Sequence, residues 1–349
     1  MPKYKLKQLN SDFIVKEIPF IPGITPSKTG QFTIMKVQKE GISTFALIDI
    51  LARIINVDPK KIVASGLKDE NAITQQLLSV EKILTRNDIE KINEKLTKRS
   101  HQIKIVNLEG SSQEPIQQTI LHGNEFIITI RNLTSKTLNA IVNFIETSKF
   151  VSFINYYDEQ RFGTPGSIHN THLIGKALLS KNWKLACKLY LSSGNDPKEK
   201  AVVSKYIKSK KDYLSAALSI PENKRTFFIS ANNSWIWNER ASREVKQKVK
   251  YAKLVNFPYL GELYYPVTNN YALSNLLSTK IEEIDWDKLS TFSRYKSRPL
   301  TATTSIYITG KGNDELNKGK NSLTLAFILP TGCYATMLIK QMLLHTIAP

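Results

Sequence analysis

The strongest constraint on the fold is a change of texture along the chain. Between Asp12 and about Arg131, short strand-type runs (FIVKEI, QFTIMKV, QIKIV and EFIITIR) alternate with helical periodicity such as that from Thr44 to Ile55. After RFGTPG at 161–166, where Gly163, Pro165 and Gly166 interrupt the pattern, Leu/Ala-rich helical segments follow one another: Leu173 to Ser180, Lys184 to Leu191, Glu199 to Ile207 and Tyr213 to Leu218. Near Arg298 strand texture returns, with TSIYI and LTLAFIL flanking GKGNDELNKGK, whose composition suits a mobile hairpin connection. The whole reads as α+β. One domain is expected from 1–164 and 299–349, interrupted by a largely helical insertion at 165–298, and 349 residues is a suitable length for two such bodies.

Local signals place two helices. Ser43 or Thr44 caps the first, whose Phe45, Ile48, Ala52 and Ile55 fall on one face at helical spacing and are expected in the core. The second is expected over Ser135 to Thr147, with Thr134 as cap and Leu138, Ile141, Val142 and Ile145 inward. It leads directly into the segment of Asn155.

Charge narrows the partner. Lysine and arginine exceed aspartate and glutamate by 49 to 30, a formal charge of +19, which points to a polyanion, nucleic acid first. A basic proteome bias is the other source for part of that excess. Cys187 and Cys333 stand far apart and outside any CxxC pattern, so neither a disulfide framework nor a zinc site is indicated, and a reducing, cytoplasmic compartment fits. The start MPKYKLKQLNSDF lacks the apolar core of a signal peptide, and the most apolar stretches are broken by Asp49, Arg53, Pro330 and Lys340, which argues against secretion and membrane spanning.

Four segments can carry chemistry. In GLKDENAITQQ (66–76), which follows the strand-like KIVAS through a glycine turn, Lys68 and Asp69 are expected exposed at a sheet edge. A carboxylate ionised at neutral pH is a competent nucleophile toward a sugar or base carbon, but an isolated GxKD is better read as an aspartate that only caps a turn. NYYDEQRFG (155–163) combines aromatic faces that stack an unpaired base with amide and guanidinium groups that bond a base edge or phosphate. It also fits a loop anchored by Tyr156 and Phe162, with Asp158, Glu159 and Arg161 in solvated pairs. LPTGCYATMLIKQML (329–343) reads as a strand end, a Pro/Gly turn and an apolar helix, with Tyr334 placed to face a cleft. DFIVKE (12–17), preceded by Lys7, alternates as a half-buried edge strand with Asp12, Ile14 and Lys16 on one face.

Several other chemistries are not indicated. There is no GxxxxGK[ST], no GxGxxG after a strand, no HExxH and no GxSxG. His169 and His172 share a helical spacing without a carboxylate or cysteine at metal-ligand distance and are expected at the surface.

Together, the four segments resemble the TruD family of tRNA pseudouridine synthases, in the same order and across nearly the full chain. GLKDENAITQQ is similar to that family's catalytic GxKD segment, HGNEFIITIR (122–131) to its GN-x-F strand and DFIVKE to its amino-terminal D-F-x-V-x-E. The resemblance implies that Asp69 is the essential aspartate, that Lys7 lines the site, that Asn155 is the active-site asparagine, and that Tyr157 and Tyr334 are rings around the target base; Lys68, beside Asp69, is expected with Lys7 to bias the local field or hold the neighbouring phosphate. It also implies a mixed-sheet catalytic domain interrupted by a TRUD insertion domain, tRNA as substrate with uridine 13 as target, and a redox-neutral isomerisation that calls for no cofactor and no metal. No membrane and no obligate protein partner are expected. Three positions depart from the pattern: Tyr157 for the usual phenylalanine, Asp158 for a common glycine, and Asn10-Ser11 for a proline-acidic pair.

The competing readings are a non-catalytic RNA-binding protein or RNA chaperone on the same scaffold, and a metal-dependent nuclease. The nuclease has only Asp12, Glu17, Asp69 and Glu70 to offer, in no persuasive pattern.

Overall fold

A computed structural model describes residues 3–19, 30–99, 102–116, 121–163, 168–266, 273, 276, 278–288 and 291–345; the border expected at 164/165 lies outside them. The elements run β1 (Phe13–Pro19), β2 (Phe32–Glu40), α1 (Thr44–Ile55), β3 (Ile62–Ala64), β4 (Ile73–Val80), α2 (Arg86–Arg99), β5 (Ile103–Ser112), β6 (Leu121–Leu133), α3 (Ser135–Thr147) and β7 (Val151–Ile154). Next come α4 (Thr171–Leu179), α5 (Trp183–Ser192), α6 (Pro197–Lys210), α7 (Tyr213–Leu218), α8 (Glu222–Lys248), β8 (Ala252–Phe257) and β9 (Gly261–Pro266). They are followed by β10 (Lys280–Lys288), β11 (Thr291–Pro299), β12 (Thr301–Thr304), β13 (Ile306–Asn313), β14 (Asn321–Pro330) and α9 (Ala335–His345).

Two compact units emerge, Met1–Val151 with Thr304–Gly332, and Ser152–Thr303 with Cys333–Pro349. Packing therefore groups 152–163 and 333–345 with the helical segments, whereas sequence texture set its borders at 164/165 and 298/299.

The first unit is built on a mixed sheet of order β13-β14-β6-β1-β4-β2-β5, with β3 added beside β4. β1 runs parallel to β4 and antiparallel to β6, so it is a central strand rather than the edge strand expected. The charges of DFIVKE are tolerated there because each is matched: Lys16 lies 3.2 Å from Glu125 across the β1–β6 ladder, and Glu17 is buried in bonds described below. Behind β2, β4 and β5, helices α1 and α2 close a core of Met35, Val37, Leu47, Leu51, Ile55, Leu78, Ile92 and Leu96.

Helix α1 has the expected limits and its Ser43 cap, with the Ser43 hydroxyl accepting from the Ala46 amide at 3.1 Å. Its inward stripe is Thr44, Leu47, Leu51, Ala52 and Ile55, and Phe45 is 64% exposed instead of buried. TFALIDILARII is apolar on almost every side, so its spacing sets the helical period without setting the rotation about the axis. In α3 the cap and three of the four inward residues, Ile141, Val142 and Ile145, are as expected, while Leu138 is half-buried.

The β13–β14 connection, expected to be a mobile loop, is tied to the sheet. Asp314 accepts from Arg131 Nη1 at 3.1 Å and from the Asn132 amide at 2.7 Å, while Arg131 Nε bonds both oxygens of Asp12 at 2.8 and 2.9 Å. Both carboxylates and the guanidinium are buried. Burial alone would raise the Asp314 carboxyl, but the Asn132 and Leu316 amides, Asn317 and Arg131 together hold it at about 2.

In the second unit α4 to α8 share a core of Ile174, Leu178, Ala186, Cys187, Tyr190, Val203, Ala217 and Phe228. The α4–α8 contact is close enough that a Cβ on Gly175 would lie 2.0 Å from the Phe228 carbonyl oxygen, which explains glycine at that position. The unit is less purely helical than expected, since β8–β9, β10–β11 and β7–β12 form three two-stranded ladders. No sequence signal announced the 27-residue α8, because its buried face includes Asn232, Ser234, Asn238 and Ser242 among the apolar residues. Among the described residues no helix is long and apolar enough to cross a membrane.

Replacing Arg131 by methionine strands two buried carboxylates, and is expected to cost about 3 kcal/mol of stability at pH 7 in urea unfolding. The folded pKa of Asp314 lies below its ordinary value of 3.8, so its contribution is complete above about pH 4 and is lost as pH falls through about 2. The deficit of Arg131→Met should therefore shrink below pH 2.

Candidate active site

The residues singled out in the sequence fall into two groups, Lys7, Lys68 and Asp69 in the first unit and Asn155, Tyr157 and Tyr334 in the second. Asp69 sits in the turn that leaves β3 and enters β4. Its carboxylate is about one-third exposed (31%), and Oδ2 lies 3.3 Å from the Lys7 ammonium. Lys7 adopts a left-handed backbone (φ 57°), uncommon for a residue with a side chain, and its Nζ stands 4.1 Å from the centre of the Phe13 ring. A reciprocal backbone pair between Lys5 and Arg131, at 2.9 and 3.0 Å, anchors the segment just before it.

Lys68 is not the exposed edge residue expected. Its side chain is largely buried, and Nζ lies 2.6 Å from Glu17 Oε1. The other oxygen of Glu17 accepts from the Ser65 hydroxyl at 2.5 Å and the Leu77 amide at 2.7 Å, so one carboxylate on β1 ties together the residues entering and following the Asp69 turn. The turn is pinned again where the Lys68 amide donates to Thr44 Oγ1 at 3.1 Å.

A residue that sequence reasoning missed completes this group. Lys39 is fully buried, and its ammonium donates to the main-chain carbonyl of Asp69 at 2.6 Å and to that of Ile42 at 2.7 Å. Burial draws its pKa down to about 8, against the pull of Asp69 and Glu70 and with the help of the Lys68 charge. The signal was present in β2, where a period of two puts Lys39 on the same face as Met35 and Val37.

In the second unit Tyr157 is the hub. Its amide donates to Asn238 Oδ1 at 2.8 Å and its carbonyl accepts from Asn238 Nδ2 at 2.9 Å, fixing the main chain against α8. Its ring meets Tyr334 and Trp237 edge-on, each at 5.8 Å, and the Arg298 guanidinium lies 3.9 Å from its centre. Asn155 is buried, and its side-chain oxygen and its carbonyl both accept from Arg298, at 2.8 Å and at 2.9 to 3.1 Å. The structure thus brings Asn155, Tyr157 and Tyr334 into one cluster and adds Arg298, Trp237 and Asn238. Arg298 and Asn238 stand in SRPL and WNER, which carry no pattern that would single them out. Burial raises the Cys333 thiol, partly offset by Arg298 and a hydrogen bond with Asn155.

Tyr156 and Phe162 are fully buried core anchors, one of the two readings open for this loop. The solvated pairs are not found. Asp158 is buried, 2.6 Å from Lys340 on α9, and caps the short turn Glu159–Arg161 by accepting from the Glu159 amide at 2.7 Å. Arg161 bonds Ser230 at 2.6 Å and Ser234 at 3.1 Å. His172, expected at the surface, is buried and stacked on Trp235 at 4.0 Å, and burial brings its pKa down to about 4. His169 stacks on Tyr259 at 3.9 Å. Among the described residues no three His, Cys, Asp or Glu side chains are grouped to hold a metal ion.

Residues 3–198 match the family described as tRNA pseudouridine synthase D (TruD). Among curated proteins, the chain is 24% identical to the tRNA pseudouridine synthase D of Aquifex aeolicus, with 97% of each chain covered. It is 26% identical to that of Leptospira interrogans, covering 98% of this chain and 97% of the relative. Its fold is similar to the crystal structure of a Methanosarcina mazei protein described as a candidate member of the same family, with a TM-score of 0.61, 22% identity and coverage of 97% and 93%.

The ion pair of Asp158 has a direct test. Asp158→Gly restores the residue common in TruD-type sequences but leaves the Lys340 ammonium buried without its closest partner, so a loss of about 3 kcal/mol is expected in chemical denaturation. Unchanged stability would contradict the pairing.

Proposed function

Because the chain belongs to the tRNA pseudouridine synthase D family and is an isomerase, we propose that it converts uridine 13 of tRNA to pseudouridine with Asp69 as its catalytic carboxylate. The observation that supports this reading best is the state of Asp69: a carboxylate that reaches solvent, paired with Lys7, on a turn whose main chain is held by buried groups. A residue that served only as a turn cap would not need that scaffolding.

The reaction exchanges one bond for another. The bond from N1 of uracil to C1′ of ribose breaks, the base turns, C5 bonds to C1′, and the proton lost from C5 is balanced by one gained at N1. Electrons and atoms are conserved throughout. Asp69 acts on the sugar or the base ring, by attack or by removing a ribose proton, and both routes use the same ionised carboxylate. Lys7 neutralises part of its charge and orients it. Lys68 acts on the local field through Glu17, since its ammonium is already engaged there. The detached uracil must be retained between the two bond changes, a task that suits Tyr157 and Tyr334 as pocket walls and Asn155 as the group positioning a base edge. Extrusion of the uridine from the RNA costs a few kcal/mol, which stacking on such rings offsets. The helical block at 165–298 is proposed to be the TRUD insertion domain, and the net charge of +19 to serve the phosphate backbone.

Asp69→Asn is expected to bind tRNA with unchanged affinity and to form no pseudouridine in a mass-spectrometric or chemical-labelling assay. Conversion at the wild-type rate by that variant would refute the assignment. Affinity for tRNA should also fall steeply as salt is raised, and binding that ignores salt would refute the role given to the charge.

A further inference from the structure

We infer that Lys39 is a positioning residue for the isomerisation: from beneath the sheet it holds the main chain of the Asp69 turn in the conformation that presents the carboxylate beside Lys7. This rests on the reading of Asp69 as the catalytic group. The argument starts from cost. An ammonium taken wholly out of water carries a penalty of several kcal/mol, and lysine is among the residues least often found fully buried. Lys39 is fully buried on the core face of β2, in line with Met35 and Val37. A residue that served packing alone would be apolar there, as its neighbours are.

What offsets the penalty identifies the task. Two of the three ammonium donors go to carbonyl oxygens, of Asp69 at 2.6 Å and of Ile42 at 2.7 Å, and bonds from a charged donor are about twice as strong as neutral ones. Ile42 lies in the connection between β2 and α1, and the Gly41 amide of that connection donates to Ala72 at the far end of the Asp69 turn, at 3.3 Å. Lys39 therefore joins the two segments from inside while Gly41 joins them from the backbone, and Asp69 is the residue it grips. The charged groups facing Lys39 are Asp69 and Glu70, which favour its charge, and Lys68, which opposes it. With a pKa of about 8 it is charged at neutral pH and loses the charge as pH rises through 8, when both bonds to the carbonyls weaken.

Displacing a reacting group by about 1 Å costs roughly a hundredfold in rate, which sets the scale of the expected effect. Lys39→Met, of similar length but without donor or charge, should lower the single-turnover rate of pseudouridine formation by between about tenfold and a hundredfold, with the Kd for tRNA within twofold of wild type. Wild-type single-turnover rates should fall on the basic side with an apparent pKa near 8. Lys39→Arg, which keeps a charge that does not titrate in this range, should retain most of the rate and lack that basic limb. If Lys39→Met does not fold by circular dichroism, the wild-type and Lys39→Arg profiles decide the matter by themselves. An unchanged rate in Lys39→Met, or a basic limb that persists in Lys39→Arg, overturns the inference. Wild-type protein that forms no pseudouridine in tRNA would mark failure of the functional reading instead, and the two outcomes are separate.

Discussion

The Asp69 turn is held by two buried charges of opposite sign, and the remainder of the first unit is arranged so that both are satisfied. Glu17, on central strand β1, accepts from Ser65 and Leu77 on either side of the turn and pairs with Lys68 within it. Lys39, on β2, donates to the carbonyl of Asp69 itself. In the mixed sheet β4 lies between β1 and β2, so the Glu17 carboxylate and the Lys39 ammonium reach the connection into β4 from its two neighbouring strands. The stabilisation is local, and so is its product: the Asp69 carboxylate stays partly open to solvent, facing Lys7.

The second unit uses the same economy with different groups. Arg298 bonds both the side chain and the carbonyl of Asn155 and lies on the Tyr157 ring, so one guanidinium fixes an amide and an aromatic face together. Asn238 clamps the Tyr157 main chain from α8. A ring constrained in this way has little conformational freedom left to lose. Asp158, which departs from the common glycine, is a cap and a buried partner of Lys340.

Much of this was legible beforehand, and the failures have physical causes. Strands of the first unit, helices α1 and α3 with their caps and the limits of α7 follow from periodicity and capping residues. Phe45 lies outside the core because α1 is apolar on almost every side, so its phase depends on what packs against it. β1 was read as an edge because an isolated strand cannot show that Glu17 and Lys16 have partners on β4, β6 and the Asp69 turn. The β13–β14 connection has the composition of a free loop, yet Asp314 within it is bonded to Arg131, 183 residues away in sequence. Arg298 leaves no local pattern because its partner Asn155 is 143 residues away, whereas the period of two in β2 does place Lys39 on the core face with Met35 and Val37.

The central claim is that this chain places a carboxylate, Asp69, at the service of uridine isomerisation in tRNA. The most direct test is to map pseudouridine at single-nucleotide resolution in total RNA from cells that lack the protein and from the same cells supplied with it. The account predicts a pseudouridine at position 13 of tRNA that is absent in the first sample and restored in the second. A tRNA modification map identical in the two samples would contradict it.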